Sequence, residues 1–369
     1  MDIGLLKEIK SSEHRVLLIP DAIEKLVSLG NNLFVESGAG KDSGFEDKEY
    51  EGAGAQILPS SEKIFQKVEL ILKIQPPMPI EYELFTAKHI SFSFLLPQNG
   101  VEKLNLLLKS SAIFLAADMI DPIKQAMNEI TGKVVVTQAI KYLERNFGGK
   151  GILFSGACGI PGAQVSILGC GQTGISAAQQ SLLLGANVNL IDDDYKNLLA
   201  FNAENSSEKL NVFEYDRGLL KTILLETDVL IVTGSGSDAD SKMRVRKDDL
   251  KLLQKGSLVI DLAINKEERI ETSRETSPDN PTYIHEDIVY FSVPNLPSVV
   301  PKTSSIVLSN IAVDYIRQLA QMGFQETIVS NPEFRKSLLI YHGKIVNTIL
   351  TKDSTEKAYD ILELLEINI

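Results

Sequence analysis

The residues best suited to chemistry form the run GCGQTG at 169–174, whose glycines follow the spacing GxGxxG. An apolar run at 163–168 leads into it, and a helical pattern at 175–186 that begins with the small-residue stretch ISAAQQ follows it, which is the pattern of a strand, a tight turn and a helix. Glycines at these positions permit the turn, the close approach of a pyrophosphate and tight helix packing. The helix N-terminus would offer N–H groups and a positive dipole end to the phosphates. The motif predicts a dinucleotide site that includes Gly169, Gly171, Gln172, Thr173 and Gly174.

An acidic residue follows the glycine motif at the distance that a dinucleotide site needs. Asp192 ends the next apolar run, 18 residues after Gly174. Its carboxylate can accept hydrogen bonds from the adenosine ribose hydroxyls and would repel a 2′-phosphate. Asp193 and Asp194 add to that repulsion, so NAD is predicted rather than NADP. The alternative is a glycine turn in an α/β domain that binds no ligand.

Two cations in the first part of the chain could hold an anionic substrate. Arg15 precedes an apolar run, and arginine can bind a carboxylate through two parallel hydrogen bonds. Lys73 ends another apolar run, where a strand would finish beside a ligand crevice. The alternatives are a surface ion pair for Arg15 and a solvated side chain for Lys73. No histidine shows a pattern typical of an acid–base catalyst.

Short apolar runs alternate with helical patterns in both halves of the chain, which predicts an α/β fold with parallel sheets. Strands are predicted at 2–8, 32–37, 68–73, 90–95, 112–119, 163–168, 187–192, 229–234, 257–263 and 288–294. Helices are predicted at 21–30, 175–186 and 355–366, and long ones at about 122–144 and 302–322. The long helices predict a discontinuous substrate domain, residues 1–123 and 303–369, and a nucleotide-binding domain, residues 124–302.

Composition narrows the class of protein. The net charge of −12 argues against a nucleic-acid partner, which would need a basic face. Apolar runs stay below the roughly 18 residues of a membrane span, and the first residues do not resemble a signal peptide. A cytoplasmic protein with no membrane partner is therefore expected. Cys158 and Cys170 lack metal-ligand spacing, so we expect packed thiols and no metal site.

The chain resembles the alanine dehydrogenase/pyridine nucleotide transhydrogenase family along nearly its whole length. The segments that carry the resemblance are IGLLKEIKSSEHRVLLIPDAIEKL, VESGAGKDSGFEDKEYEGAGAQI, LILKIQPP, ILGCGQTG, GSLVIDLAIN, ETSRETSPDNPTY and VPNLPSVVPKTSS. Three strings resemble the alanine dehydrogenase branch in particular: AMNEITGK, ETSRETSPDNPTY and SLLIYHGKIVN.

The resemblance implies two Rossmann-like doubly wound domains with a cleft between them, linked by long helices. It implies an NAD-dependent amino-acid dehydrogenase that converts L-alanine and water to pyruvate and ammonia. Arg15 would clamp the substrate carboxylate, and Lys73 would hold the substrate and polarise its carbonyl. The implied cofactor contacts beyond the glycine motif are Ala263, Ile264, Asn265 and Asn295. Related enzymes are usually hexamers, which implies a homo-oligomer.

Two positions depart from the dehydrogenase pattern. Leu95, within one residue, stands where those enzymes carry a histidine, and Asn265 stands where they carry an aspartate. Neither residue can transfer a proton, and general acid–base catalysis normally contributes about 10²–10⁴-fold to a rate. Two alternatives therefore stay open beside a dehydrogenase: a non-catalytic NAD-binding regulatory protein, and the soluble NAD(H)-binding α subunit of a proton-translocating transhydrogenase.

Overall fold

The computed structural model describes residues 1–95, 101–233, 243–264, 269–351 and 357–366. The chain divides into two compact units, residues 1–127 with 298–369 and residues 128–297. In the segments described, no helix combines the length and the hydrophobicity that a bilayer crossing needs.

Strands and helices alternate through both units. The strands are β1 (Asp2–Leu5), β2 (Asn32–Glu36), β3 (Gln56–Leu58), β4 (Leu70–Leu72), β5 (Ile90–Ser93), β6 (Ile113–Ala116), β7 (Gln164–Leu168), β8 (Asn187–Asp192), β9 (Leu210–Glu214), β10 (Val229–Val232), β11 (Leu258–Asp261), β12 (Thr282–His285), β13 (Ile288–Phe291), β14 (Leu338–Tyr341) and β15 (Lys344–Ile345). The α-helices are α1 (Pro20–Ser28), α2 (Asp47–Gly52), α3 (Ser61–Lys67), α4 (Pro79–Tyr82), α5 (Val101–Lys109), α6 (Asp121–Tyr142), α7 (Gln172–Leu183), α8 (Tyr195–Glu204), α9 (Arg217–Leu224), α10 (Lys247–Leu250), α11 (Pro301–Met322), α12 (Phe324–Ser330), α13 (Pro332–Ser337) and α14 (Ile361–Leu364).

The first unit is built on a sheet in the order β15-β14-β6-β5-β4-β1-β2-β3. Its first six strands in sequence are parallel, and β14 and β15 extend one edge in antiparallel fashion. The parallel strands have the order 3-2-1-4-5-6, which reverses direction between β1 and β4. In doubly wound sheets ligands bind at this switch point, beyond the carboxyl ends of the strands.

The second unit repeats that plan, in the order β12-β13-β11-β10-β7-β8-β9. Its parallel strands again read 3-2-1-4-5-6, and β12 pairs antiparallel with β13 at the edge. The switch point lies between β7 and β10. Strands β10, β11 and β13 are buried along their whole lengths, which explains why they appear in the sequence as unbroken apolar runs.

The predicted α/β class with two doubly wound domains is confirmed. The central strands lie where the apolar runs placed them, but most are shorter than predicted. Strand β1 ends at Leu5 rather than at residue 8, so Glu8 lies beyond the strand and not within it. The strands that were not predicted are each short or partly polar and lie at or near a sheet edge; they are β3, β9, β12, β14 and β15. Within the described tail, the predicted last helix is reduced to α14.

Candidate active site

Ionic side chains gather beyond the carboxyl ends of β1 and β4, at the switch point of the first unit. We call this group the ionic cluster; its members are Glu8, Glu13, Arg15, Lys73, Gln75 and Glu81. Four of them, two carboxylates and two cations, are at most 3% exposed. Charges so deeply buried require close partners of opposite sign.

Arg15 is held by a carboxylate two residues before it. Its Nε lies 2.7 Å from Oε1 of Glu13 and its Nη2 lies 2.6 Å from Oε2, a paired arrangement that fixes the plane of the guanidinium. The other terminal nitrogen, Nη1, lies 3.4 Å from the sulfur of Met127. The ring of Phe94 lies 5.7 Å from the guanidinium carbon. Arg15 is therefore an interior group with a set orientation, and not a surface ion pair.

Lys73 directly follows β4 and pairs with a carboxylate from α4. Its Nζ donates to Oε1 and Oε2 of Glu81 at 2.7 and 2.6 Å. Glu81 also accepts from the backbone N–H of Met78 at 2.6 Å, which fixes the carboxylate at the start of α4. The side-chain amide of Gln75 donates to Glu13 at 2.6 Å and so joins the lysine segment to the arginine pair. The structure thus brings the two predicted substrate cations into one hydrogen-bonded region.

Glu8 completes the cluster from the end of β1. Its Oε1 accepts from the backbone N–H of Ile74 at 2.5 Å, and the N–H of Gln75 lies 3.3 Å from each of its oxygens. The residue as a whole is partly exposed, but its carboxyl group is enclosed by the cluster. Burial of the carboxyl raises the pKa of Glu8 to about 7, although the charge of Lys73 and the two backbone donors oppose that rise. The negative charge of Glu13 raises the pKa of Glu8 further.

Helix α11 positions the segment that carries Arg15. The backbone N–H of Val16 donates to Oγ of Ser305 at 2.9 Å, and that of Ile19 donates to Oγ of Ser309 at 3.0 Å. The N–H of His14 donates to Oγ of Ser298 just before the helix. These hydroxyls satisfy buried backbone donors that would otherwise lack partners. The returning part of the chain is therefore needed to hold the arginine in place.

We expect Ser305→Ala to lower the free energy of unfolding by about 1–3 kcal/mol, because the buried N–H of Val16 loses its acceptor. Urea denaturation of the purified protein measures this change. Ser330→Ala is the matched control, since the hydroxyl of Ser330 is exposed and bonds only within α12. Equal effects of the two substitutions would contradict the positioning role.

The predicted dinucleotide motif forms the turn from β7 into α7. Gly169 has φ of +115°, a conformation that favours glycine. A Cβ on Gly174 would lie 1.8 Å from the carbonyl oxygen of Gly169, so helix and turn touch through backbone. Gly171 caps α7, and no side chain in the described residues takes over that role. Gln172 and Thr173 form the first turn of the helix. The motif thus presents helix-terminal N–H groups at the switch point, as an anion-binding turn requires.

Asp192 contacts the glycine turn from the end of β8. One carboxylate oxygen accepts from the backbone N–H of Cys170, and the other accepts from that of Asp194 at 2.7 Å. The side chain is 1% exposed, and burial raises its pKa. Asp192 therefore anchors the glycine turn, a structural role that the sequence pattern did not reveal. Each of its oxygens can still accept a second hydrogen bond.

Other predicted cofactor contacts lie near the ends of β11 and β13. The N–H of Ala263 donates to Oδ1 of Asp261 at 2.9 Å, and Ile264 follows it. Asn295 has φ of +59°, a left-handed conformation that asparagine tolerates better than most residues. Asn265 lies outside the described residues. Cys158 is exposed, so its predicted packing was wrong, whereas Cys170 is buried and burial raises the pKa of its thiol to about 12.

Comparison with known proteins identifies the family. The family described as "Alanine dehydrogenase/PNT, N-terminal domain" matches residues 4–131, and the one described as "Alanine dehydrogenase/PNT, C-terminal domain" matches residues 135–348. The chain belongs to the alanine dehydrogenase/PNT family. The resemblance seen in the sequence is thereby confirmed.

Individual members of the alanine dehydrogenase/PNT family match nearly the whole chain. The alanine dehydrogenase of Methanococcus maripaludis is 33% identical, over 98% of this chain and 97% of its own length. That of Bacillus subtilis is 31% identical, over 96% and 94%. A solved L-alanine dehydrogenase superposes with a TM-score of 0.87 at 29% identity, covering 94% of this chain and 97% of the other. A transhydrogenase from Sinorhizobium meliloti gives 0.78 at 19% identity over 94% and 99%, a likeness of fold alone.

The position predicted to replace a family histidine lies in the hydrophobic core. Leu95 is 6% exposed and belongs to the core cluster that includes Phe85 and Phe114. Its backbone N–H donates to Asp118 at 2.9 Å. The next residue, which the one-residue tolerance of that prediction includes, lies outside the described residues.

Sequence reasoning missed four members of the ionic cluster, namely Glu8, Glu13, Gln75 and Glu81. A signal for two of them was present, because Glu8 and Glu13 belong to the same short segment that carries Arg15. Glu81 gave no such signal. It lies eight residues beyond Lys73, past three prolines, and only the course of that loop brings the carboxylate back to the lysine.

Proposed function

We propose that this protein is an NAD-dependent amino-acid dehydrogenase, in the simplest case an alanine dehydrogenase. It would interconvert L-alanine, NAD and water with pyruvate, ammonia and NADH. One observation carries the proposal: two buried cations, Arg15 and Lys73, each paired with a carboxylate, belong to one cluster at a switch point of a chain whose relatives are alanine dehydrogenases. Two buried cations near the strand ends where doubly wound sheets bind ligands are suited to a small carboxylic acid.

Arg15 would bind the substrate carboxylate. Glu13 occupies the Nε and Nη2 edge of the guanidinium and so holds its plane. The Nη1 atom contacts the Met127 sulfur, which is a weak acceptor. A carboxylate is a far stronger acceptor than a thioether and would displace that contact. The site would be specific for a carboxylic acid because only a strong acceptor would replace the contact between Arg15 and the thioether.

Lys73 would orient the carbonyl or amine end of the substrate. Glu81 holds its ammonium through two short hydrogen bonds, which keeps the long side chain in one position. An ammonium has three N–H donors, so it can also donate to a carbonyl oxygen. That contact would draw electron density from the carbonyl carbon and make it a better hydride acceptor.

The second unit fits a nicotinamide dinucleotide. The close approach of Gly174 to Gly169, the cap of α7 by Gly171 and the buried Asp192 are the features that a pyrophosphate and a ribose require. The residues proposed to hold the adenosine half are the glycine turn and Asp192, and those proposed near the nicotinamide are Ala263, Ile264, Asn265 and Asn295. NADH, when bound, supplies the hydride.

The test is oxidation of NADH, followed by its ultraviolet absorbance, by purified protein with pyruvate and ammonium. We expect turnover that needs all three reactants and falls sharply when NADPH replaces NADH, because Asp192 and its acidic neighbours repel a 2′-phosphate. Tight NADH binding without turnover on any 2-oxo acid would instead favour a regulatory NAD-binding protein. Hydride exchange between NADH and an NADP-loaded partner would favour the transhydrogenase subunit. Light scattering tests the proposed homo-oligomer.

A further inference from the structure

The ionic cluster contains more negative groups than positive ones. Its carboxyls are Glu8, Glu13 and Glu81, and its cations are Arg15 and Lys73. Glu13 and Glu81 are each matched one-to-one by a cation at 2.6–2.7 Å. Glu8 is the member of the cluster whose short hydrogen bond comes from backbone and not from a cation. When Glu8 is ionised, these five groups carry one excess negative charge, and the cation that contacts the cluster from outside, Lys10, is exposed and lies 3.5 Å from Oε1 of Gln75.

Glu8 also lies where a ligand would meet it. It follows β1 and bonds to the two residues after Lys73, so it lies between the strand ends that form the switch point. Gln75, whose backbone N–H faces Glu8, donates its side-chain amide to Glu13 and so connects to Arg15. Glu8 as a whole is partly exposed, unlike the four buried members of the cluster.

We propose that Glu8 is a proton-binding residue of the substrate site: it takes up one proton when the carboxylate of a 2-oxo acid binds beside Arg15 and Lys73. This inference rests on the proposed function and assigns a role to a residue that the sequence pattern left unassigned. An incoming carboxylate adds a second negative charge to a cluster that already has one in excess. Protonation of Glu8 removes that excess, so binding and proton uptake reinforce each other.

The titration of Glu8 places this coupling near neutral pH. Its pKa in the free protein is about 7, and the charged groups that face it are Lys73 from the end of β4 and Glu13 from the segment after β1. A bound anion raises that pKa further, so proton uptake should be greatest just above pH 7. At higher pH the proton is lost, and the apparent Kd for a 2-oxo acid should rise by up to about tenfold per pH unit.

Calorimetric titration of pyruvate into protein saturated with NAD⁺ tests the proposal, because two oxidised reactants cannot turn over. Comparing buffers of different ionisation enthalpy at about pH 8 gives the number of protons taken up. We expect about 0.5–1 proton per pyruvate for the wild type, and close to none for Glu8→Gln. The variant keeps an oxygen that can accept from Ile74, and its Kd should stay flat between about pH 7 and 9.

Glu36→Gln is the matched control. Glu36 is another partly buried carboxyl whose pKa is raised by burial, and it accepts from the backbone N–H of Lys7 at 3.0 Å. The substitution Glu36→Gln should leave the proton uptake unchanged.

The pH dependence of stability gives a second measure of Glu8. Its raised pKa stabilises the fold below the ordinary pKa of glutamate, and this stabilisation is lost as pH rises through about 7. The free energy of unfolding of the wild type should therefore fall between about pH 5 and 8 more than that of Glu8→Gln. The cooperative unfolding transition from which this free energy is obtained also shows that the variant is folded.

Uptake that persists in Glu8→Gln, or that disappears equally in Glu36→Gln, would overturn the assignment. Turnover of pyruvate without linked proton uptake would overturn this inference and leave the dehydrogenase standing. Proton uptake linked to pyruvate binding, without oxidation of NADH by pyruvate and ammonium, would support this inference and contradict the dehydrogenase activity. If no 2-oxo acid binds at all, both proposals fail.

Discussion

Replacing Arg15 with methionine should lower the free energy of unfolding by about 3–5 kcal/mol, because Glu13 is left as a buried charge without its partner. Pyruvate-dependent oxidation of NADH should be lost in the same variant, since methionine offers no donor to a carboxylate. Urea denaturation measures the first effect and the NADH absorbance assay measures the second. NADH binding should persist, because the glycine turn belongs to the other unit.

A double variant separates the two roles of Arg15. In Arg15→Met with Glu13→Gln, the uncompensated charge is gone, so we expect part of the stability to return while activity stays absent. Arg317→Met is the control for removal of an arginine, because its pairing with Asp314 on α11 is exposed and such pairs contribute at most about 1 kcal/mol. Activity recovered by the double variant would contradict the proposed carboxylate clamp.

Replacing Gly174 with alanine should weaken NADH binding by roughly 10–100-fold, since about 1–3 kcal/mol of overpacking strain falls on the turn that approaches the phosphates. The added Cβ would lie 1.8 Å from the backbone oxygen of Gly169. Backbone cannot rotate away as a long side chain can, so the turn itself must deform. Fluorescence titration with NADH measures the loss.

Gly52→Ala controls for the added methyl group. Gly52 ends α2, has open space where a Cβ would lie, and gains helix propensity as alanine. We expect unchanged NADH binding and equal or greater stability for this variant. NADH affinity that is unaffected by Gly174→Ala would mean that the dinucleotide does not depend on this turn, and the nucleotide site would have to be sought elsewhere.

The contribution of sequence is clearest in the second unit. The glycine spacing, the strand before it and Asp192 after it all lie within about thirty residues, and each reflects a local requirement for a turn, a buried strand or an acidic strand end. Even there the sequence did not show that Asp192 holds the glycine turn. Its bonds to the N–H groups of Cys170 and Asp194 depend on how β7 and β8 lie side by side.

The sequence by itself determined the α/β class, the family and the glycine turn between a strand and a helix, and it singled out the two cations of the first unit. Only the tertiary structure decided what surrounds those cations, because the burial and pairing of a charge depend on residues distant in the chain. Parallel pairing of β1 with β4 brings Glu8 to Ile74, the loop before α4 returns Glu81 to Lys73, and α11 holds the arginine segment through Ser305. The tertiary structure also placed the side chain of Leu95, two residues beyond β5, in the core beside residues distant in the chain such as Phe114.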